Sequence, residues 1–263
     1  MKKISRMCAA ALTIALVAGS LCGCAKSKLK IRSTEDLAGK KIGVQAGTTG
    51  ENWVLKNVQN PTVASFKSGM DAALDLKNRA IDAVVLDALP AQEMAVRNPE
   101  LKIIHCKAFA ENKENYAIAV KKGNTQLLSV INQTIEQIKT DGTYDRLVKA
   151  FMSADGKITV PEAEALSGSK TLKLGTNASF PPFEYVDSKT IVGFDISIGQ
   201  KIAKNAGMKL EIIDMAFESL IPALQSGKID FIAAAMSVDE ERQSEVDFSE
   251  PYFESEQVII VRK

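Results

Sequence analysis

The chain has 263 residues, of which 46% are hydrophobic and 25% are charged. This apolar content excludes an intrinsically disordered chain, and the length is enough for one large domain or two lobes of about 100–150 residues each. The formal net charge is +1 and there is one histidine, which argue against a nucleic-acid partner and exclude a histidine-rich metal site. We therefore predict no metal and no cofactor.

The first 30 residues are predicted to be a targeting segment rather than part of the fold. A basic leader precedes an apolar stretch over about residues 7–19, which is too short for a stop-transfer helix. The stretch ends in Leu21-Cys22-Gly23-Cys24, which resembles the lipobox of bacterial lipoproteins. The resemblance implies a signal peptide over residues 1–23, lipidation of Cys24, and a tether over residues 24–30. An ordinary secretory signal that is cut nearby is the alternative.

From residue 31 onward, strand patterns alternate with helical patterns, which predicts α/β layers with mostly parallel strands. Lys41–Gln45 is a predicted strand, followed by a loop at Gly47-Thr48-Thr49 that opens a helix. Residues 81–86, IDAVVL, form a continuous apolar run that is typical of a strand buried on both faces. Further strands are predicted at residues 101–106, 116–120, 172–175, 210–213, 229–234 and 257–261.

One of these strands contains the only histidine and the only cysteine of the predicted fold. His105 and Cys106 are adjacent and have no other soft ligands at a useful spacing. We therefore expect them to be strand residues rather than metal ligands. With Cys106 alone in the fold, a disulfide framework is excluded.

The sequence also contains an internal similarity and one candidate linker. LKNRAIDAVV at residues 76–85 parallels LQSGKIDFIA at residues 224–233. Two similar α/β lobes would produce this similarity, and so would two helix-turn-strand units of one doubly wound domain. Residues 153–170 are rich in Gly, Ser, Pro and charge and show no hydrophobic period, which indicates a linker. It follows a predicted helix that ends near Phe151.

Two long segments together carry a family resemblance. Residues 171–263 contain TLKLGTNASFPPFEYVD, IVGFDISIGQKIAKNAG and AAAMSVDEERQSEVDFSEPYF. Residues 31–153 contain STEDLAGKKIGVQAGTTGENW and DGTYDRLVKAFMS. Both resemble the polar amino-acid family of solute-binding proteins of bacterial ABC transporters. The resemblance implies a type II periplasmic-binding-protein-like fold, with two α/β lobes, each a mostly parallel sheet flanked by helices, and two hinge crossings.

The order of the two segments departs from that family. In the family, the segment that begins here at Thr171 normally precedes the segment that begins here at Ile31. We therefore predict a circular permutant, natural or constructed, whose termini lie close together. The expected units are a discontinuous lobe with Asp87 at residues 31–118 plus 255–263, and a continuous lobe with Arg242 at residues 119–254.

A bound α-amino acid needs partners for its carboxylate, its ammonium group and its side chain. Ser237 and Glu240 fit a capping box at a helix start, where backbone N–H groups can face an anion. Arg242 follows within the predicted helix and can bind a carboxylate through two hydrogen bonds. The resemblance assigns both Ser237 and Arg242 to the ligand carboxylate, with Ala235 beside them. Thr48 and Thr49 complete this site from the other lobe.

The remaining predicted binding residues follow from strand ends and from the resemblance. Asp87 follows a buried strand, at the sheet edge where ligands of α/β proteins collect, and the family uses the matching aspartate for the α-ammonium group. The resemblance makes Phe180 and Phe217 the two aromatic clamps, whereas Phe183 and Phe194 are left in the core.

Asn177 and Gln45 occupy positions where relatives place a charged residue or a histidine. This neutral pair favours a neutral polar ligand such as glutamine. A basic amino acid stays possible, because Glu184 and Asp87 lie nearby in the motifs.

The predicted function is an extracytoplasmic, lipid-anchored, monomeric binding protein. It captures a polar L-amino acid between two closing lobes and delivers it to an ABC permease, with membrane contact only through its lipid. The alternatives are an enzyme on the same fold, similar to cyclohexadienyl dehydratase, and an amino-acid-sensing lobe pair of a receptor. The enzyme would need a general acid or base in the pocket, where only Asp87 is available.

Overall fold

The structure is a computed structural model that describes residues 30–153 and 156–263. Cys24, the predicted signal peptide and almost all of the predicted tether therefore lie outside the described residues. None of the helices in the two described ranges combines the length and the apolar character that crossing a membrane requires.

Helices and strands alternate along most of the described chain. The α-helices are α1 (Thr49–Asn57), α2 (Gly69–Lys77), α3 (Ala88–Arg97), α4 (Lys107–Ala110), α5 (Thr125–Thr140), α6 (Thr143–Phe151), α7 (Phe194–Asn205), α8 (Leu220–Gln225) and α9 (Glu240–Glu245). Strands β1 to β6 are Lys41–Gln45, Thr62–Phe66, Ala83–Asp87, Leu101–Ile104, Glu114–Tyr116 and Ala119–Lys121. Strands β7 to β15 are Thr171–Thr176, Ser179–Phe180, Glu184–Asp187, Thr190–Val192, Lys209–Asp214, Phe231–Ile232, Val246–Phe248, Phe253–Ser255 and Gln257–Arg262.

Two five-stranded sheets form the framework, and they share one topology. The first sheet has the order β2-β1-β3-β15-β4 and the second has the order β11-β7-β12-β6-β13. In each sheet the first three strands are parallel, and the fourth, β15 or β6, runs antiparallel to both of its neighbours. The sheets are therefore mostly parallel in the sense that the family resemblance implied, with one reversed strand in each.

The internal sequence similarity has a structural cause at its Ile-Asp pair. Asp82 exchanges hydrogen bonds with Lys41 at the start of β1, where the Lys41 N–H donates to the Asp82 carboxylate at 3.0 Å. Asp230 exchanges the same pair of hydrogen bonds with Lys173 in β7, where the Lys173 N–H donates to the Asp230 carboxylate at 2.8 Å. In both sheets, the aspartate thus ties the entry of the third strand to the strand beside it.

The chain passes twice between the sheets, through a separate two-stranded ribbon. β5 and β14 pair antiparallel, with Tyr116 opposite Phe253 and Glu114 opposite Ser255. β5 leads into the second sheet and β14 leads into the first. We call β5 and β14 the hinge strands.

The cores cover both faces of the sheets. One apolar cluster packs Val54, Val85 and Phe109 against the face of the first sheet that carries α1 and α4. Aromatic rings continue the largest cluster through the hinge, where Phe183 packs against Tyr116 and Phe253 with ring centroids 5.2 and 5.1 Å apart. The prediction that Phe183 and Phe194 belong to the core is confirmed, since both are fully buried.

Some sequence-based boundaries were wrong. The strand predicted over residues 116–120 is two strands, because the chain leaves the hinge after Tyr116 and enters the second sheet only at Ala119. His105 and Cys106 are not strand residues, because the edge strand β4 ends at Ile104 and Cys106 occupies the N-cap position of α4. The edge strand β2 contains no fully buried residue and was not predicted.

We call each five-stranded sheet with the helices that pack on it a lobe, so that the first sheet belongs to the first lobe and the second sheet to the second lobe. The segment that precedes β7 contains no helix or strand over residues 156–170, as predicted for a linker, yet it is held against helices of the second lobe. The Glu164 carboxylate accepts hydrogen bonds from Lys201 and Lys204 of α7 at 2.6 and 2.7 Å. The Thr159 N–H donates to the Ala150 carbonyl. The segment is therefore a docked connection rather than a free tether.

Candidate functional site

A cavity of about 310 Å³, a volume that includes space open to solvent, lies between the two sheets, at the carboxyl ends of β1 and β3 on one side and of β7 and β12 on the other. This is the edge at which ligands of open α/β sheets bind. All ten binding residues predicted within the described chain line it, and Glu184 and Ala234 complete the wall. The ten are Gln45, Thr48, Thr49, Asp87, Asn177, Phe180, Phe217, Ala235, Ser237 and Arg242.

Arg242 is held in place from both lobes. Its Nη1 donates to the Ser237 carbonyl at 2.7 Å, and its Nη2 donates across the cleft to the Gly47 carbonyl at 2.9 Å. Its Nε faces Asp239 at 3.4 Å, so one N–H on each terminal nitrogen is left over for a carboxylate. Burial lowers the pKa of this guanidinium, while the carboxylates of Asp239 and Glu114 oppose the shift.

The start of α9 differs from the prediction. Asp239, rather than Ser237, is the N-cap, and its carboxylate accepts the Arg242 N–H at 2.8 Å. Ser237 cannot cap the helix because its backbone still pairs with β5 opposite Tyr116. The predicted capping box with Glu240 is therefore wrong, and a six-residue helix offers little dipole for an anion.

The loop that faces Arg242 depends on one glycine. Gly47 has φ +74°, a conformation that glycine adopts at no steric cost. A Cβ on Gly47 would lie 2.9 Å from the Cβ of Glu218 in the opposite lobe. The two lobes therefore approach closely where the Gly47 carbonyl meets Arg242.

Asp87 is the last residue of β3 and is buried in the cavity wall. It precedes α3 but its side chain does not cap that helix, so the carboxylate is available to the cavity. It accepts a hydrogen bond from the Tyr116 hydroxyl of the hinge. Burial, followed by repulsion from Glu114, raises the pKa of Asp87 to about 7. A ligand cation at this position would restore the ionised form.

Glu184 is the least solvated carboxyl group in the cavity wall, at 1% exposure. Its Oε2 has no hydrogen-bond partner among the described residues. Burial, and then the carboxyl groups of Asp195, Asp87 and Asp214, raise the pKa of Glu184 well above its usual range. An unpaired buried acid is costly unless a partner compensates it.

The two predicted amide residues bind each other across the cleft. The Gln45 side chain donates to the Asn177 Oδ1 at 3.0 Å, and the Asn177 Nδ2 donates to the Met215 carbonyl. The Gln45 Oε1 is buried and unpaired within the described chain. The cavity wall therefore holds two acceptors without donors, one on Gln45 and one on Glu184.

The rings and hydroxyl groups of the wall complete the site. Phe180 and Phe217 are nearly buried, and the Phe217 ring lies 5.4 Å from the guanidinium carbon of Arg242, within range of a cation–π contact. The hydroxyl of Thr48 donates to the Gln45 carbonyl at 2.7 Å. Those of Thr49 and Ser237 both donate to Glu114, so none of the three protons points to the cavity.

Glu114 and Tyr116 were not foreseen as site residues. Both lie on a hinge strand, behind the wall rather than in it, and neither belongs to a recognisable binding motif. Only the pairing of β5 with residues 236–238 brings Glu114 to Ser237. No local sequence pattern predicts such a long-range contact.

Curated relatives match parts of the chain. The arginine-binding extracellular protein ArtP of Bacillus subtilis (strain 168) is 42% identical over 37% of this chain and 38% of its own length. A probable histidine-binding protein of Campylobacter jejuni is 42% identical over 35% of this chain and 36% of its own length. The L-cystine-binding protein TcyJ of Escherichia coli (strain K12) is 32% identical over 48% of this chain and 46% of its own length. The chain thus spans less than half the length of these relatives.

Among solved structures, the arginine-bound form of domain 1 from TmArgBP is 44% identical. It covers 35% of this chain and 80% of its own, with a TM-score of 0.32. The model of the bacterial extracellular solute-binding proteins, family 3, matches residues 26–154 and 172–263, which is most of the chain. These proteins bind solutes and the named relatives bind amino acids, so the prediction of a binding protein rather than an enzyme is confirmed. The chain belongs to family 3 of the bacterial extracellular solute-binding proteins.

Proposed function

We propose that this protein captures an L-amino acid with a cationic side chain between its two lobes and delivers it to an ABC importer. The observation that carries the ligand assignment is the buried carboxyl group of Glu184, a residue of the cavity wall whose Oε2 has no hydrogen-bond partner among the described residues. A cation at this point would remove the cost of burying that acid.

The balance of donors and acceptors supports the same ligand class. Glu184 and Gln45 each present an unpaired acceptor, whereas Asn177 already accepts from Gln45. A guanidinium group carries five donors and no acceptor, so it matches this wall. The sequence-based preference for a neutral ligand rested on Asn177 and Gln45 alone, and the burial of Glu184 favours the basic alternative instead.

The proposed orientation uses both lobes. The ligand carboxylate meets the two remaining N–H groups of Arg242, and its ammonium group meets Asp87. Its aliphatic part lies against Phe180 and Phe217, and its cationic end reaches Glu184. The similarity to an arginine-binding relative at 42% identity supports arginine as the first ligand to test.

A thermal-shift panel of the twenty amino acids tests the ligand class. We expect arginine and lysine to give the largest increases in melting temperature, because a ligand at 100 times its Kd adds about 2.7 kcal/mol to the free energy of unfolding. A larger increase in melting temperature with glutamine than with either basic amino acid would contradict the proposal and support a neutral polar ligand instead.

Lipid anchoring through Cys24 and delivery to a permease form the second part of the proposal. Both follow from the lipobox resemblance and from the family. In a bacterial host, Cys24→Ala should abolish labelling by radioactive palmitate and release the protein from the membrane fraction. Labelling that persists would contradict the anchor. Uptake of arginine that is lost on gene deletion would distinguish transport from sensing.

We further propose that the chain is circularly permuted, with lobes at residues 31–118 plus 255–263 and at residues 119–254. The family model matches in two separate segments, and the C-terminal strand β15 lies inside the first sheet between β3 and β4. A gene that places residues 171–263 before residues 31–153 should yield a protein with the same ligand affinity. A rearranged chain that folds but binds nothing would contradict the permutation.

A further inference from the structure

We propose that Glu114 is a hinge latch that stabilises the closed arrangement of the two lobes by accepting hydrogen bonds from hydroxyl groups on both sides of the cleft. The inference deepens the proposed function, on which it rests for its ligand. It gives Glu114 a positioning role, because this residue is not part of the cavity wall.

One carboxylate oxygen collects hydrogen bonds from both lobes. The Glu114 Oε2 accepts from the hydroxyl of Thr49, at the start of α1, at 2.7 Å. It also accepts from the hydroxyl of Ser237, which follows β12 in the second lobe. Thr49 packs with the first sheet and Ser237 with the second, so separating the lobes must break at least one of these bonds.

The other oxygen of the same carboxylate is tied to the first sheet. The Gln257 Nε2 donates to the Glu114 Oε1 at 3.0 Å and lies 3.5 Å from the Thr49 hydroxyl. Gln257 is buried in β15, directly after the second hinge strand. Glu114 therefore has a fixed orientation, with Oε2 aimed at the cleft side.

Backbone pairing holds Ser237 beside the latch. The Ala117 N–H donates to the Met236 carbonyl, and the Val238 N–H donates to the Asn115 carbonyl. These bonds flank the bridge between Tyr116 and Ser237. The Ser237 hydroxyl is thus positioned by the first hinge strand itself, whereas the Thr49 contact depends on how the first lobe sits.

The negative charge of Glu114 acts on both Asp87 and Arg242, the two residues proposed to bind the ammonium group and the carboxylate of the ligand. Glu114 repels Asp87 and attracts Arg242. Charge-assisted hydrogen bonds are stronger than neutral ones, so Glu114 stabilises the arrangement more than an amide would. A closed form that is held more firmly releases its ligand more slowly, since opening must precede release.

The test compares the release of radiolabelled L-arginine from the full chain and from Glu114→Gln after dilution. We expect release to be about tenfold faster in the variant, with the association rate within about twofold of the wild type. Glu254→Gln is the matched control, because Glu254 is a hinge-strand carboxylate that pairs with Lys113 at 2.5 Å rather than with Thr49 or Ser237. Release from Glu114→Gln at the wild-type rate would overturn the latch.

A double-mutant comparison separates the latch from a general loss of stability. Thr49→Val should accelerate release on its own but add little in the Glu114→Gln background, because both changes act on the same hydrogen bond, which Glu114→Gln weakens and Thr49→Val removes. Fully additive effects would overturn the assignment. If the wild type does not bind arginine, the proposed ligand fails. The same rates are then measured with the amino acid that gives the largest thermal shift, so the latch is judged separately.

Discussion

The two sheets reach the cavity with the same framework but offer different groups to it. β3 and β12 hold the third position of their sheets, and Asp82 and Asp230 tie their entries to the neighbouring strand. Counted from these aspartates, Asp87 corresponds to Ala235. At this position the first lobe has the carboxylate of Asp87, whereas the second lobe has Ala235, which offers only backbone polar groups.

The backbone at Ala235 is unusual for a residue with a side chain. Ala235 has φ +46°, and its N–H donates to the buried Asp195 carboxylate at 2.7 Å. Asp195 also accepts from the Tyr252 hydroxyl at 2.5 Å. In the second lobe, Asp195 therefore fixes the backbone at this strand end, and the charged side chains of its cavity wall are Arg242 and Glu184. One framework can thus carry an acid on one side and a guanidinium on the other.

The largest expected effect concerns the cation of the second lobe. Arg242→Ala should weaken amino-acid binding by at least about 2 kcal/mol, because the ligand carboxylate loses its partner in a buried site. Isothermal titration calorimetry measures the change, and Arg32→Ala, on an exposed residue, serves as the control. Nearly unchanged affinity would remove Arg242 from the site.

The next effect concerns Glu184, the acid that the second lobe places in the cavity wall. Glu184→Gln should weaken the binding of L-arginine by about 1.5–2 kcal/mol, because a charge-assisted hydrogen bond is lost. The binding of L-citrulline, a neutral molecule of nearly the same shape, should change much less. Equal losses for both ligands would show that Glu184 does not face the side-chain end.

The comparison of strand ends also predicts a pH dependence of stability. Burial raises the pKa of Asp195 to about 7, against about 3.9 in an unfolded chain. Between these values the folded state holds a proton that the unfolded state has lost. The contribution of this group to the free energy of unfolding therefore decreases as pH rises from about 4 to about 7.

Asp195→Asn should remove this contribution, because its side-chain carbonyl can still accept from Ala235 and Tyr252. Chemical denaturation at pH 4.5 and 7.5 measures the effect. In Asp195→Asn, the free energy of unfolding should fall less between pH 4.5 and pH 7.5 than it does in the wild type, by a difference of about 1 kcal/mol or more. The control Asp145→Asn, on an exposed helical residue, should keep the wild-type slope. An unchanged slope in Asp195→Asn would contradict the account.

The smallest effect concerns the docked segment before β7, which has no counterpart in the first lobe. The hydrogen bonds from Lys201 and Lys204 lower the pKa of Glu164, so its stabilising effect is present at neutral pH and is lost as pH falls through the folded-state pKa. Glu164→Gln should lower the free energy of unfolding at pH 7 by about 0.5–1 kcal/mol. Glu162→Gln, in the same segment and exposed, should have no effect. An equal result for both variants would show that docking does not depend on Glu164.

The sequence predicted those parts of the site that follow from strands buried on both faces. The apolar run that ends at Leu86 located Asp87 at a sheet edge, and the motifs around Phe180 and Arg242 located the opposite wall. It failed where long-range pairing overrides a local signal, as at Ser237, whose backbone is held by the hinge rather than released to cap α9. Glu114 lay beyond prediction, because its role depends on contacts with residues 65 and 123 positions away.

The most direct test of the central claim is a crystal structure of the protein with L-arginine. The account predicts that the ligand carboxylate lies against Arg242, its ammonium group against Asp87, and its guanidinium group within hydrogen-bond distance of the Glu184 Oε2. Electron density for arginine in the reverse orientation, or at a site that contacts neither Arg242 nor Glu184, would contradict it.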